Sequence, residues 1–163
     1  PKRRTEHIIS RNMMSQIITG AAWTFILSLA LLILGSFAAD PAVPGVSFLE
    51  HWGWIRESNI EGESHAYLHT AYFAFFIFIA VFNAFNARTD RINLFDNITK
   101  NKGFLTVFSI IAVVQILMTY LGGAILQGYG LYPNEWLVIL VMAISIIPVD
   151  LIRKAIAKAA SNK

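Results

Sequence analysis

The sequence predicts an all-α membrane protein, with four transmembrane helices in an antiparallel bundle and both termini cytoplasmic. Three observations carry this. Four apolar runs, roughly 17–39, 66–86, 104–126 and 136–149, contain none of the 23 charged residues. A helix of about 17–25 apolar residues is what crosses a hydrocarbon core. The charged segments between the runs alternate in sign: +3 over residues 1–16, −4 over 40–65, +2 over 87–103, −1 over 127–135 and +3 over 150–163. Basic segments stay on the cytoplasmic side, so all five agree on one orientation. Finally, 56% of residues are hydrophobic, mean hydropathy is +0.57 and only 14% are charged. A soluble chain would instead scatter its charge among its apolar residues.

A single membrane domain, 1–163, is expected, with spans at about 17–39, 66–86, 104–126 and 136–152. Lys2, Arg3 and Arg4 ahead of an apolar run resemble a signal peptide. The run exceeds an h-region of about 7–15 residues, and three more follow, so it reads as a true span. The chain opens at Pro1 without a Met, and the expectation is that it continues a longer polypeptide. The first span places Gly20, Thr24, Ser28 and Gly35 on one face, a small-residue stripe that lets another helix approach closely. Asp40-Pro41-Ala42-Val43-Pro44-Gly45 stops that helix. Trp52 and Trp54, in the outer loop that follows, suit the membrane interface.

The second span divides into two faces. Phe75, Phe78, Phe82 and Phe85 share one side, and Ala80, Asn83, Ala84 and Ala87 the other. At about 100° per residue the two sets are centred half a turn apart. The expected assignment puts the aromatics toward lipid and the small, polar face toward protein. After a short polar inner loop (88–103), the third span aligns Ala112, Gln115, Thr119 and Gly122 on one face. Gly128, Gly130 and Pro133 make the outer turn, and Pro148 removes a backbone donor near the inner end of the fourth span. The basic tail from Arg153 is expected to continue as helix.

The pI near 9.4 does not imply nucleic acid, because the basic residues sit at helix ends where anionic lipid head groups account for them. No nucleic-acid partner is expected; the lipid bilayer is. The absence of cysteine excludes disulfides, thiolate metal sites and thiol redox chemistry. No catalytic residue and no metal site is expected in this chain. It has no phosphate-binding glycine loop, no credible Ser/His/Asp set and no metalloprotease helix. His65 and His69, at i and i+4, lack a third ligand fixed by spacing, and read as an interfacial, hydrogen-bonded pair. No carboxylate lies inside an apolar run, although cation transport usually needs one in the membrane. The polar candidates in the spans are Asn83, Asn86 and Gln115. Two readings stay open for each: interhelical hydrogen bonding, or oxygen donation beside an ion path. Asp150 is expected to pair with Arg153 or Lys154, at i+3 and i+4.

Several stretches resemble one family. Ile9-Ser10-Arg11-Asn12-Met13-Met14 is similar to the entry of the seventh transmembrane helix of type II P-type cation ATPases. Phe82-Asn83-Ala84-Phe85-Asn86-Ala87-Arg88 resembles the inner end of their eighth helix. Asn93-Leu94-Phe95-Asp96-Asn97, then Asn101-Lys102-Gly103-Phe104, resembles the loop into the ninth. Gln115 followed by Tyr120-Leu121-Gly122-Gly123 is similar to the ninth helix of plasma-membrane-type calcium pumps. Trp136 through Pro148-Val149-Asp150-Leu151-Ile152-Arg153-Lys154 resembles the tenth.

The resemblance implies the last four membrane helices of an ATP-driven pump, most simply for calcium, in the plasma membrane. The fragment would not be catalytic alone and would hold no cofactor; the full pump would use ATP, Mg and Ca. Its partners would be the remaining transmembrane helices and the cytoplasmic domains, with the four helices bracing the ion-transport helices. Reticulum-type pumps place a calcium-ligating glutamate in the eighth helix. Aligned on Asn83 and Asn86, that position here is Ala80, which implies a single-site, plasma-membrane-type pump. The short tail implies a minimal member without a calmodulin-binding extension. The same domain of a pump for another cation is the alternative within the family. Outside it, the competing readings are a free-standing four-helix accessory membrane protein and a small secondary transporter. The missing intramembrane charge and missing internal repeat count against the transporter.

Overall fold

The computed structural model describes residues 11–37, 47–61, 65–87, 102–126 and 128–161. Residues 1–10, the expected Asp40–Gly45 stop and most of the inner loop, 88–101, lie outside the described residues. The described chain is helical: α1 (Arg11–Leu32), continued by a π-helical turn (Ile33–Phe37), then α2 (Phe48–His51), α3 (Ala66–Ala87), α4 (Lys102–Leu121), α5 (Gly123–Leu126), α6 (Pro133–Ile144) and α7 (Ile146–Ser161). Four stretches are long and apolar enough to cross a membrane: Asn12–Gly35, Ala66–Ala87, Lys102–Leu121 and Pro133–Ala160.

The spans differ from the sequence expectation at their ends. The third stops at Leu121 rather than at 126, because four glycines fold the chain back. Gly123 and Gly130 adopt φ of 49° and 70°. Gly123 and Gly128 exchange backbone hydrogen bonds at 3.0 Å. Left-handed backbone of this kind ends a helix where glycine carries no Cβ penalty. The fourth span is two helices broken at Ser145, three residues before Pro148. Proline removes the donor that would close the preceding turn. Helix then resumes and carries the basic tail to Ser161, as expected.

The third segment of helix, α3, is the centre of the bundle and packs on α1, α4, α6 and α7. This corrects the expectation that its aromatic face is turned toward lipid. Phe75 and Phe78 are buried in the core, whereas Ala80, Ala84 and Ala87 are exposed. Phe85 meets Phe104 and Phe108 of α4 edge-on at 4.8 and 4.9 Å, and Phe78 meets Trp136 of α6 at 5.9 Å. These aromatic rings fill the gaps between α3, α4 and α6. On the small face of α3, Asn83 meets Gly20 of α1, while Ala80, Ala84 and Ala87 are exposed among the described residues.

The stripe on α1 is a helix–helix contact, as expected, and the helix it admits is α3. A Cβ on Gly20 would lie 3.0 Å from the Asn83 amide, and one on Gly35 would lie 2.5 and 2.6 Å from the Leu68 methyls. Leu68 is itself buried and has nowhere to retreat. Gly35→Ala is therefore expected to destabilise the protein by about 1–3 kcal/mol through overpacking. Equilibrium unfolding in mixed micelles would show it, with Leu68→Ala costing less in the Gly35→Ala background than in the unaltered protein. A stabilised Gly35→Ala would refute the close approach.

Candidate helix-docking face and the clusters that frame it

The bundle has two polar ends. At the acidic end, the loop before α3 is fastened to the turn before α6. Glu135, in the first turn of α6, is completely buried. Its Oε1 accepts the Arg56 backbone N–H at 3.0 Å and pairs with Arg56 Nε at 3.3 Å. Its Oε2 accepts the Tyr132 N–H at 2.6 Å, closing the start of α6. The Arg56 guanidinium lies between the Tyr67 and Tyr132 rings, 3.8 and 3.7 Å from their centroids. Arg56 also donates to the Gly130 carbonyl. Nearby, Glu50 accepts from the Ser47 N–H and hydroxyl and pairs with His65 at 3.2 Å. Of the two histidines expected to be hydrogen-bonded, His65 pairs with Glu50, while His69 is exposed on the next turn. The exposed Trp52 and Trp54 lie at this same end, on the loop after α2.

At the basic end, Asp150 takes both of its expected partners at once: Arg153 Nε at 2.6 Å and Lys154 Nζ at 2.8 Å. Lys154 also donates to the Asn86 carbonyl at 3.0 Å, and Arg153 Nη1 reaches the Asn12 carbonyl at 3.5 Å. Thus α7 ties together the start of α1 and the end of α3. Arg11 and Ser161, the first residue of α1 and the last of α7, lie toward this one end.

The three polar candidates do not converge. Asn86 is fully buried against α7, where its amide donates to the Ile146 carbonyl at 3.1 Å. Gln115 is buried on α4, and its amide reaches Thr119 of the same helix at 3.4 Å. Asn83 alone lines an open groove, on the side of α3 facing α1. Among the described residues, no group of three or more His, Asp or Glu side chains is placed to hold a metal ion.

The groove beside Asn83 runs between α1 and α3 and encloses about 530 Å³. Gly20, Thr24 and Ser28 form one wall; Tyr72, Ala80 and Asn83 form the other. Ser28 is only 8% exposed, and its hydroxyl has no hydrogen-bond partner among the described residues. Sequence reasoning found both walls but not that they meet. It also missed the Arg56–Glu135 pair, although a glutamate two residues after Pro133 is a helix-start signal.

The family described as cation transporting ATPase, C-terminus, matches residues 1–156. The chain belongs to this family. It is the C-terminal membrane domain of a cation-transporting ATPase, and hence part of a multi-pass membrane protein. Calcium-transporting ATPase PAT1 of Dictyostelium discoideum is 29% identical over 96% of this chain and 13% of the relative's length. Calcium-transporting ATPase 9, plasma membrane-type, of Arabidopsis thaliana is 25% identical over 93% of the chain and 14% of the relative. Calcium-transporting ATPase 2 of Schizosaccharomyces pombe is 28% identical over half of the chain and 6% of the relative. The chain therefore spans about one-seventh or less of the length of these relatives. No solved structure matches it.

Proposed function

We propose that this domain braces the ion-transport helices of an ATP-driven calcium pump of the plasma membrane, and that the groove between α1 and α3 is the face that receives them. The observation that carries the reading is the character of that groove. Lining it are Gly20, Ala21, Thr24, Ala80, the Asn83 amide and a Ser28 hydroxyl without a partner among the described residues, and Ile17, Phe25, Phe76 and Ile79 add apolar surface for a helix to pack on. Lipid tails offer nothing to the amide and the hydroxyls, whereas a neighbouring helix packs closely on small residues and hydrogen-bonds the polar ones. Three relatives named as calcium-transporting ATPases, one of them plasma-membrane-type, support calcium and that membrane. The charge alternation supports a cytoplasmic basic end. In this reading ATP, Mg and Ca are handled elsewhere in the pump, and the cytoplasmic domains meet the basic end. Asn83 is the candidate nearest the transport helices; Asn86 and Gln115 act as structural groups within the bundle.

ATP-dependent calcium uptake into vesicles bearing the intact polypeptide tests the pump. Ala80→Glu tests the face, because a carboxylate introduced into the groove would lie against the transport helices. It is expected to change calcium affinity or stoichiometry, and unaltered transport would remove the groove from the ion path's neighbourhood. An antibody to the 40–65 loop distinguishes the accessory-subunit alternative, which requires a band near 18.2 kDa.

A further inference from the structure

A second groove opens at the basic end, where α1 and α7 run side by side. It encloses about 450 Å³. The hydroxyls of Ser15 and Thr19 form one wall, Val149, Ile152 and Ile156 the other, and Arg153 sits among them. Ile152 and Ile156 are large apolar side chains exposed on one face of α7, one turn apart. Arg153 is engaged by Asp150 through Nε and by the Asn12 carbonyl through Nη1. A guanidinium has five N–H donors in a planar fork, so donors remain for an anion. Asp150 is shared between Arg153 and Lys154, which leaves that cluster with a net positive charge. Of the described segments that meet here, 11–16 carries +1 and 150–161 carries +2.

A cation flanked by hydroxyls and continuous with an apolar wall is complementary to an amphiphile with an anionic head. We propose that this groove holds an anionic phospholipid, with its phosphate on Arg153 and an acyl chain along Val149 and Ile152. Basic pockets between helices near a membrane surface select anionic head groups in this way. Depth supports the assignment. The Arg153–Asn12 contact sets the guanidinium at the very start of α1, the level at which a span emerges into the head groups. Ser15 and Thr19 on α1 and Val149 on α7 lie farther toward the hydrocarbon. A protein helix in the same place would need to bring its own carboxylate to Arg153. The proposal rests on the pump reading only for which leaflet supplies the lipid, the cytoplasmic one.

The test measures phospholipid retained by the intact polypeptide after detergent washing, with phosphatidylglycerol and phosphatidylcholine offered together. Preferential retention of phosphatidylglycerol is expected. Arg153→Gln is expected to reduce that preference about fivefold, the weight of one basic residue near an anionic surface. Because Arg153→Gln also disturbs the Asp150 pair, a second variant, Ser15→Trp, fills the groove with that pair untouched and should lower retention equally. Equal retention of the two lipids, or a preference unchanged in both variants, overturns the site. So does a wild-type protein that retains no phosphatidylglycerol, which would mean that protein fills the groove. Calcium uptake separates this proposal from the pump reading. Retention without uptake leaves the lipid site standing and removes the calcium pump; uptake without lipid preference does the reverse.

Discussion

Arg56→Ala is expected to destabilise the acidic end of the bundle by about 3–5 kcal/mol, the cost of leaving a buried charge without its counter-charge. Glu135 has no exposed surface, so solvent does not replace the lost guanidinium. Two backbone N–H groups, of Arg56 and Tyr132, still donate to its carboxylate, and they moderate the loss without neutralising the charge. The rings of Tyr67 and Tyr132 lose the cation between them as well, a contact worth about 0.5–2 kcal/mol. Arg56→Lys keeps the charge but not the planar fork, and should recover only part of the stability. The diagnostic variant is Arg56→Ala with Glu135→Gln, which removes both charges while keeping a side-chain carbonyl for one of the two backbone donors. Equilibrium unfolding in mixed micelles should place this double variant well above Arg56→Ala alone. If the two losses simply add, the pair is not coupled and the buried-charge account fails.

Asp150→Ala is expected to cost a similar amount, about 3–5 kcal/mol, at the opposite end. The carboxylate is 4% exposed and Lys154 is 5% exposed, so among the described residues the ammonium keeps the Asn86 carbonyl alone when Asp150 is lost. The damage should reach beyond α7. Lys154 holds the end of α3 and Arg153 the start of α1, so two helix ends lose their common anchor on α7. Adding Lys154→Met to Asp150→Ala removes the stranded charge and should restore most of the stability. A double variant no better than the single one would show that the lost hydrogen bonds matter, not the uncompensated cation. Protease sensitivity of the 88–101 loop provides an independent readout, because that loop begins one residue after α3 ends.

The contrast between these two clusters shows what a sequence exposes. Asp150, Arg153 and Lys154 are spaced three and four residues apart, and on a helix that spacing alone makes them neighbours. Arg56 and Glu135 are separated by 79 residues, and no local rule joins them. The same distinction governs α3. Its period separates Phe75, Phe78, Phe82 and Phe85 from Ala80, Asn83, Ala84 and Ala87, and the structure keeps that division. Which face points inward was not legible, because lipid tails and a protein core are equally apolar and hydrophobicity does not distinguish them. Of the polar candidates, Asn83, Asn86 and Gln115 were all visible as unusual residues in apolar runs. Only their surroundings show that Asn86 and Gln115 are absorbed within the bundle while Asn83 faces an open groove.

The sequence by itself determined the four spans, the alternation of charged segments and the small-residue stripes. Each follows from the cost of placing charge in hydrocarbon or from helical periodicity, which act over a few residues at a time. The tertiary structure decided the central position of α3, the inward turn of its aromatic face, the two buried ion clusters and the two grooves. These depend on which helices become neighbours, and that is set by the fit of side chains from distant parts of the chain.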